Sequence, residues 1–147
     1  MHLELYPELP ASWHDDALGA RWARLRDLRR VVTGALEIER AQKRLGSSLQ
    51  GAARLYVPEE YREALAGVDL AALCITSEGT VAFSAAPEGA FALPEVPGVG
   101  VVIERASGEK CQRCWRILPE VGTVDGYVDL CRRCADAVAH LAPVGSA

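Results

Sequence analysis

The stretch GEKCQRCWRILPEVGTVDGYVDLCRRCADAV, residues 108–138, holds four of the chain's five cysteines. They form two C-x-x-C pairs, Cys111 with Cys114 and Cys131 with Cys134, with sixteen residues between the pairs. A two-residue spacer lets the backbone turn so that both sulfurs of a pair face one point. Two such knuckles meeting face to face complete a tetrahedron. The spacing therefore predicts one structural zinc ion held by Cys111, Cys114, Cys131 and Cys134. Four thiolates leave water no position on the ion, so catalytic metal chemistry is not expected. Gly122, Gly126 and the alternating TVDGYVDL predict a hairpin that returns the second knuckle to the first.

Two other uses of paired cysteines fit less well. A redox C-x-x-C normally stands alone at the start of a helix in a βαβ unit, and neither pair has that context. Disulfides need an oxidising compartment. The N-terminus, MHLELYPELP, lacks the basic and apolar regions of a secretory signal, which makes the cytoplasm the expected location. No run of roughly eighteen apolar residues is present, so no membrane span is expected. The fifth cysteine, Cys74, lies in an apolar run and reads as a buried small hydrophobe.

A closed metal site is a scaffold, so its function must come from what it displays. Here that is Arg113, Trp115, Arg116, Arg132 and Arg133. Guanidinium groups pair with phosphate and an exposed indole can stack on a base; the same arginines, with Lys110, can also offset the charge of a zinc–thiolate centre. The net charge of −4 hides segregation. Residues 21–44 carry eight basic against three acidic side chains, residues 55–104 one against eight, and residues 105–134 six against four. Local basic patches are thus compatible with an acidic chain.

The 147 residues, half of them hydrophobic, suffice for one domain and a small satellite module. Residues 2–12 read as extended. A long helix follows, capped by Asp15 or Asp16 and closed at Gly46. Leu18, Trp22, Leu25, Val32 and Leu36 share one of its faces, while Arg21, Arg24, Arg29, Arg30, Arg40, Lys43 and Arg44 fall largely outside it. The apolar face needs a cover, either the following domain or an absent partner, and its place at the start of the chain suggests the partner. Beyond Gly46 the pattern predicts a strand over 48–57, a short helix over 58–67, strands over 68–78 and 80–86 joined by a Glu78-Gly79 turn, a loop over 87–98 and a strand over 99–107. A helix is expected over 135–141. The sum is an α+β fold: a long N-terminal helix, a small α+β domain and a C-terminal four-cysteine zinc ribbon.

GEKCQRCWR, the later LCRRCADAV and the upstream KRLGSSL together resemble the C-terminal zinc module of bacterial-type isoleucyl-tRNA synthetases. HLELYPELPASW, DDALGARWARLRDLRRVVTGALEIERAQKRLGSSLQ and the following LYVP are similar to that family's last anticodon-domain helix and its junction with the C-terminal region. The resemblance implies three parts: 1–47, the end of the anticodon-binding helical domain; 48–107, a small junction domain; and 108–141, the zinc module. It implies a segment of a larger enzyme that couples isoleucine to tRNA using ATP, with tRNA and the rest of the synthetase as partners. It also implies RNA contacts by Arg113, Trp115, Arg116, Arg132, Arg133, Lys43 and Arg44. The family's His-Ile-Gly-His and Lys-Met-Ser-Lys-Ser signatures are absent, and His2, His14 and His140 are scattered, so no catalytic site is expected here.

Two rival readings exist. Formamidopyrimidine-type DNA glycosylases carry a terminal finger with a similar cysteine frame, but use an N-terminal proline where this chain has Met1-His2. A non-enzymatic zinc adaptor would use the 18–36 helix face as its docking surface.

Overall fold

A computed structural model describes residues 7–141; His2 and the first half of the expected extended segment lie outside them. The element that organises the rest is α1, Asp16–Ala41. The Asp15 carboxylate accepts a hydrogen bond from the Leu18 amide at 2.9 Å, satisfying one of the free N–H groups of the first turn. Before it, residues 7–10 are irregular and Ala11–Trp13 form one 3-10 turn. The helix ends at Ala41, earlier than expected, because Lys43 takes the left-handed conformation (φ 58°). Gly46 is not the cap; its amide donates instead to Gln50 Oε1 at 2.7 Å.

The sheet has three strands: β1 (Gly51–Tyr56) in the centre, β2 (Glu78–Ala82) parallel to it and β3 (Gly100–Arg105) antiparallel on the other side. Two short helices, α2 (Arg62–Leu65) and α3 (Leu70–Cys74), make the crossover from β1 to β2. Alternation along β1 turns Ala53 and Leu55 to the core and leaves Arg54 exposed. Leu25, Leu28, Val31, Val32, Ala35 and Leu36 of α1 pack with Ala53, Leu55, Val57, Leu70, Cys74 and Val101 into one core.

That core corrects the expected role of the helix face. Residues 25–36 are covered by the chain's own sheet and α3, which removes the docking face of the adaptor reading. Its N-terminal end stays open: Leu18 is 47 % and Trp22 44 % exposed, and Leu9 and Trp13, which precede it in the chain, are exposed as well. The basic side chains are also largely used within the fold. Arg21 donates to the carbonyls of Ala64 and Ala66, Arg24 to Glu60 and Arg29 to Leu73. Such contacts satisfy main-chain acceptors at helix ends that otherwise lack partners.

Residues 68–78 are not a strand. Asp69 caps α3 by accepting from the Ala72 amide at 3.1 Å, and Leu70-Ala71-Ala72-Leu73 are good helix formers. A short apolar run does not distinguish strand from buried helix by periodicity alone; the Asp cap was the available signal. Glu78 and Gly79 consequently lie within β2 rather than in a turn. Gly79 is required there, since a Cβ would stand 2.6 Å from the Ala71 amide nitrogen. The predicted loop over 87–98 and strand over 99–107 match, with Phe91 adding an isolated bridge to Val101. Among the described residues no helix is long and apolar enough to cross a membrane.

At the end of α3, Ile75 sits in the left-handed region (φ 58°, ψ 47°) with its side chain 54 % exposed. A β-branched residue pays a steric penalty there. Asn enters that region readily, and the side chain is more than half exposed, so Ile75→Asn is expected to raise stability by up to roughly 1 kcal/mol. Gly79→Ala forces backbone apart and is expected to cost about 2 kcal/mol or more. Thermal melts of the two variants, moving in opposite directions, check both.

Candidate metal centre

Beyond β3, only three residues, Ala106–Gly108, lead to a small hairpin of β4 (Glu109–Lys110) and β5 (Ile117–Leu118). Gly108 adopts φ +104° and lies against the backbone of Leu118 and Pro119, so close that a Cβ would overlap it at 2.3 Å. The first knuckle is the tip of this hairpin. The Cys111 amide donates to the Arg116 carbonyl at 2.9 Å, and the Trp115 amide donates back to the Cys111 carbonyl at 2.9 Å. Trp115 follows the second cysteine at φ 66°, the left-handed step that closes the turn.

The second knuckle is built differently. Cys131 is the N-cap of α4 (Arg132–Ala139), and Cys134 lies inside that helix. TVDGYVDL forms no hairpin. Thr123, Tyr127 and Leu130 amides donate to the carbonyls three residues before them, and Gly122 and Gly126 take positive φ. These are consecutive tight turns, which glycines in left-handed positions favour over strand. The Gln112 amide bonds the Asp129 carbonyl at 3.0 Å and ties the returning chain to the first knuckle. The expected helix over 135–141 begins earlier and ends at Ala139.

Both knuckles converge as their spacing requires. The sulfurs of Cys111, Cys114, Cys131 and Cys134 all lie within 4.8 Å of one another, and Cys114 Sγ is 3.8 Å from Cys131 Sγ. Zinc–sulfur bonds of about 2.3 Å imply tetrahedron edges of about 3.8 Å, so the donor set fits the ion. Cys111, Cys131 and Cys134 are buried with Val121, and Leu118 and Leu130 pack against them. Cys74 is apart, in the main core, where burial pushes its thiol up to about 11.

The cluster is already biased towards thiolate at one corner. Burial alone would raise the Cys111 pKa, but hydrogen bonds from the backbone of Cys114, Cys131 and Arg113 together outweigh it and bring it down to about 6. Cys131 goes the other way, to about 12, chiefly through burial and then through the neighbouring sulfurs. Four sulfurs this close cannot share one charge each without a cation among them. Arg113 Nη1 approaches Cys134 Sγ at 3.8 Å. Arg133 is held above its usual pKa, first by the nearby Cys114 sulfur. Both arginines therefore stand where they can offset thiolate charge.

The remaining predicted residues separate into groups. Trp115 is 60 % exposed, and Lys110 Nζ stands 5.1 Å from the centre of its ring, so the indole is not packed over the knuckle. Arg132 is exposed on α4. Lys43 and Arg44 lie on the connection from α1 to β1, outside the module, and Arg44 forks onto Glu39 at 2.5 and 2.6 Å. Arg116 is not displayed as a free cation. Its Nε and Nη2 both donate to the Ser77 carbonyl, at 3.1 and 2.5 Å. Ser77, which residue-by-residue reading missed, bears no sequence signal of its own; only the folded chain brings it to Arg116.

A family model described as "Zinc finger found in FPG and IleRS" matches residues 108–137. The whole chain aligns with much longer proteins. The isoleucine–tRNA ligase of Brucella abortus biovar 1 (strain 9-941) is 47 % identical over 99 % of this chain and 15 % of its own length. That of Rhodopseudomonas palustris is 44 % identical over 100 % of this chain and 15 % of its own, and that of Agrobacterium fabrum is 46 % identical over 97 % and 15 %. This chain is similar to the C-terminal part of bacterial isoleucine–tRNA ligases. It spans 15 % of the length of these ligases. The zinc-finger match alone would also admit the glycosylase reading; similarity to the ligases across the rest of the chain, about four-fifths of it, does not favour it.

Cys131→Ser removes one corner of the tetrahedron and is expected to abolish zinc retention and unfold residues 108–141, while the core around α1 and the sheet persists. Metal content by atomic absorption and far-UV circular dichroism check this; unchanged zinc would overturn the ligand set. Zinc must also displace thiol protons, that of Cys131 among them, so its affinity is expected to fall as pH falls. Competition with a chelator across pH 6 to 8 measures the slope, with about one decade per pH unit for each proton released.

Proposed function

We propose that this chain is the C-terminal segment of an isoleucine–tRNA ligase and that it helps hold tRNA, with one zinc ion fixing the shape of its contact surface. In this reading the ATP-dependent coupling of isoleucine to tRNA belongs to the rest of the enzyme, which works in the cytoplasm. Residues 1–47 end the anticodon-binding helical domain, 48–107 form the junction domain and 108–141 the zinc module. The exposed Leu9, Trp13, Leu18 and Trp22 then meet the preceding part of the enzyme, while the same helix closes the core of the junction domain.

The observation that carries the reading is the exposed Trp115 beside Lys110, mounted on a four-sulfur centre. A cation next to an accessible indole suits a nucleotide, with its ring stacked and its phosphate paired. Arg113, Arg132 and Arg133 extend the positive surface around it, and Lys43 supplies a second basic site beside Arg44, whose charge is shared with Glu39. Contacts of this kind position RNA more than they read its sequence.

Filter binding of an isoleucine-accepting tRNA transcript is expected to show affinity that falls linearly with salt on logarithmic axes. Arg132→Gln should lower that slope by about one. Trp115→Ala should keep the slope and cost about 1–3 kcal/mol through lost stacking. Affinity indifferent to salt would sink the proposal.

A further inference from the structure

Among the described residues, every hydrogen bond that crosses between 7–107 and the zinc module ends on one residue, Ser77. Its carbonyl accepts from both Nε and Nη2 of Arg116. Its hydroxyl oxygen accepts from the Ile117 amide at 2.6 Å, and its O–H donates to the Leu49 carbonyl at 2.5 Å. Its own amide donates to the Gly51 carbonyl at 3.0 Å. The side chain is wholly buried, so none of these partners can be replaced by water without opening the junction.

We infer that Arg116 is a positioning residue: with Ser77 it clamps the zinc module in one orientation on the junction domain, and so sets where Trp115 and Lys110 stand relative to the basic end of α1. A guanidinium fork on a single carbonyl fixes direction as well as distance. Arg116 is the residue after Trp115 and carries the main-chain carbonyl to which the Cys111 amide is bonded. Holding Arg116 therefore holds the first knuckle. The tether alone, Ala106–Gly108, would leave the module free to swing, and a surface that must be ordered on binding loses affinity to that cost.

The functional consequence rests on the tRNA reading above; the docking itself does not. The test uses the full 147-residue chain loaded with zinc, with Arg116→Lys, Arg116→Gln, Ser77→Ala and the Arg116→Lys/Ser77→Ala double variant. Zinc content and melting temperature identify any variant that fails to fold, and Arg116→Lys, altered outside the buried hydroxyl, keeps the test open if Ser77→Ala does. Hydrogen exchange at the Ile117 amide reports docking, and tRNA titrations over a salt series report function.

Zinc-loaded variants are expected to exchange faster at Ile117 and to bind the tRNA transcript about tenfold more weakly at every salt concentration, with the parent's slope. The double variant should be no weaker than either single one, because both break the same clamp. If Arg116→Gln instead lowers the slope by about one unit while Arg116→Lys keeps it and Ile117 stays protected, Arg116 is a phosphate contact and the inference fails. It fails equally if Ile117 loses protection and tRNA affinity does not change. A parent chain that ignores tRNA refutes the proposed function instead, and Ile117 exchange then still decides whether the clamp exists.

Discussion

A serine hydroxyl shut away from water has to find its donor and acceptor inside the protein, and Ser77 finds them in separate segments of the chain. Leu49 and Gly51 belong to the entry into the central strand, and Ile117 and Arg116 to the zinc hairpin. Each bond excludes water from the others, so their energies are not independent. The junction of the two structural units is thus a small polar network, and the apolar clusters of the two units are separate. Its geometry is as specific as that of the metal centre, and it lies between that centre and the core.

The two units hold together by different physics. The larger one buries a helical stripe on a half-covered sheet, the ordinary solution for elements with one apolar face. The smaller has too few residues for such a core, and metal ligation supplies the missing cohesion. Placing the second knuckle at the start of α4 also turns backbone N–H groups of a helix end towards the thiolates, where negative charge is favoured. Arg113 and Arg133 balance the sulfurs from outside. In the proposed function, the cations beside the metal site also form the rim of the surface that meets RNA.

Several basic groups that look available in a linear reading are committed within the fold. Arg21, Arg24 and Arg29 are spent on the carbonyls of the crossover helices, and Arg116 on Ser77. Counting lysines and arginines per segment overstates the free charge for this reason. A guanidinium has five donors and seeks out unpaired main-chain oxygens at helix ends as readily as it seeks phosphate.

Some features were legible in the residues because the determinants are local. The two C-x-x-C pairs specify their donor chemistry, though one is a hairpin tip and the other a helix start, and the period of the apolar positions, with Asp15 before them, specifies the start and buried face of α1 but not its end. Local signals also misled where they were short: 68–78 reads as strand until Asp69 is recognised as a cap, and TVDGYVDL alternates like a strand while its glycines impose turns. What covers the helix stripe, which arginines remain free and how the zinc module sits on its neighbour were decided only by tertiary structure. Those outcomes depend on pairs such as Ser77 with Arg116, thirty-nine residues apart, and no periodicity or spacing in a linear chain encodes a contact that closes only when the whole core has formed.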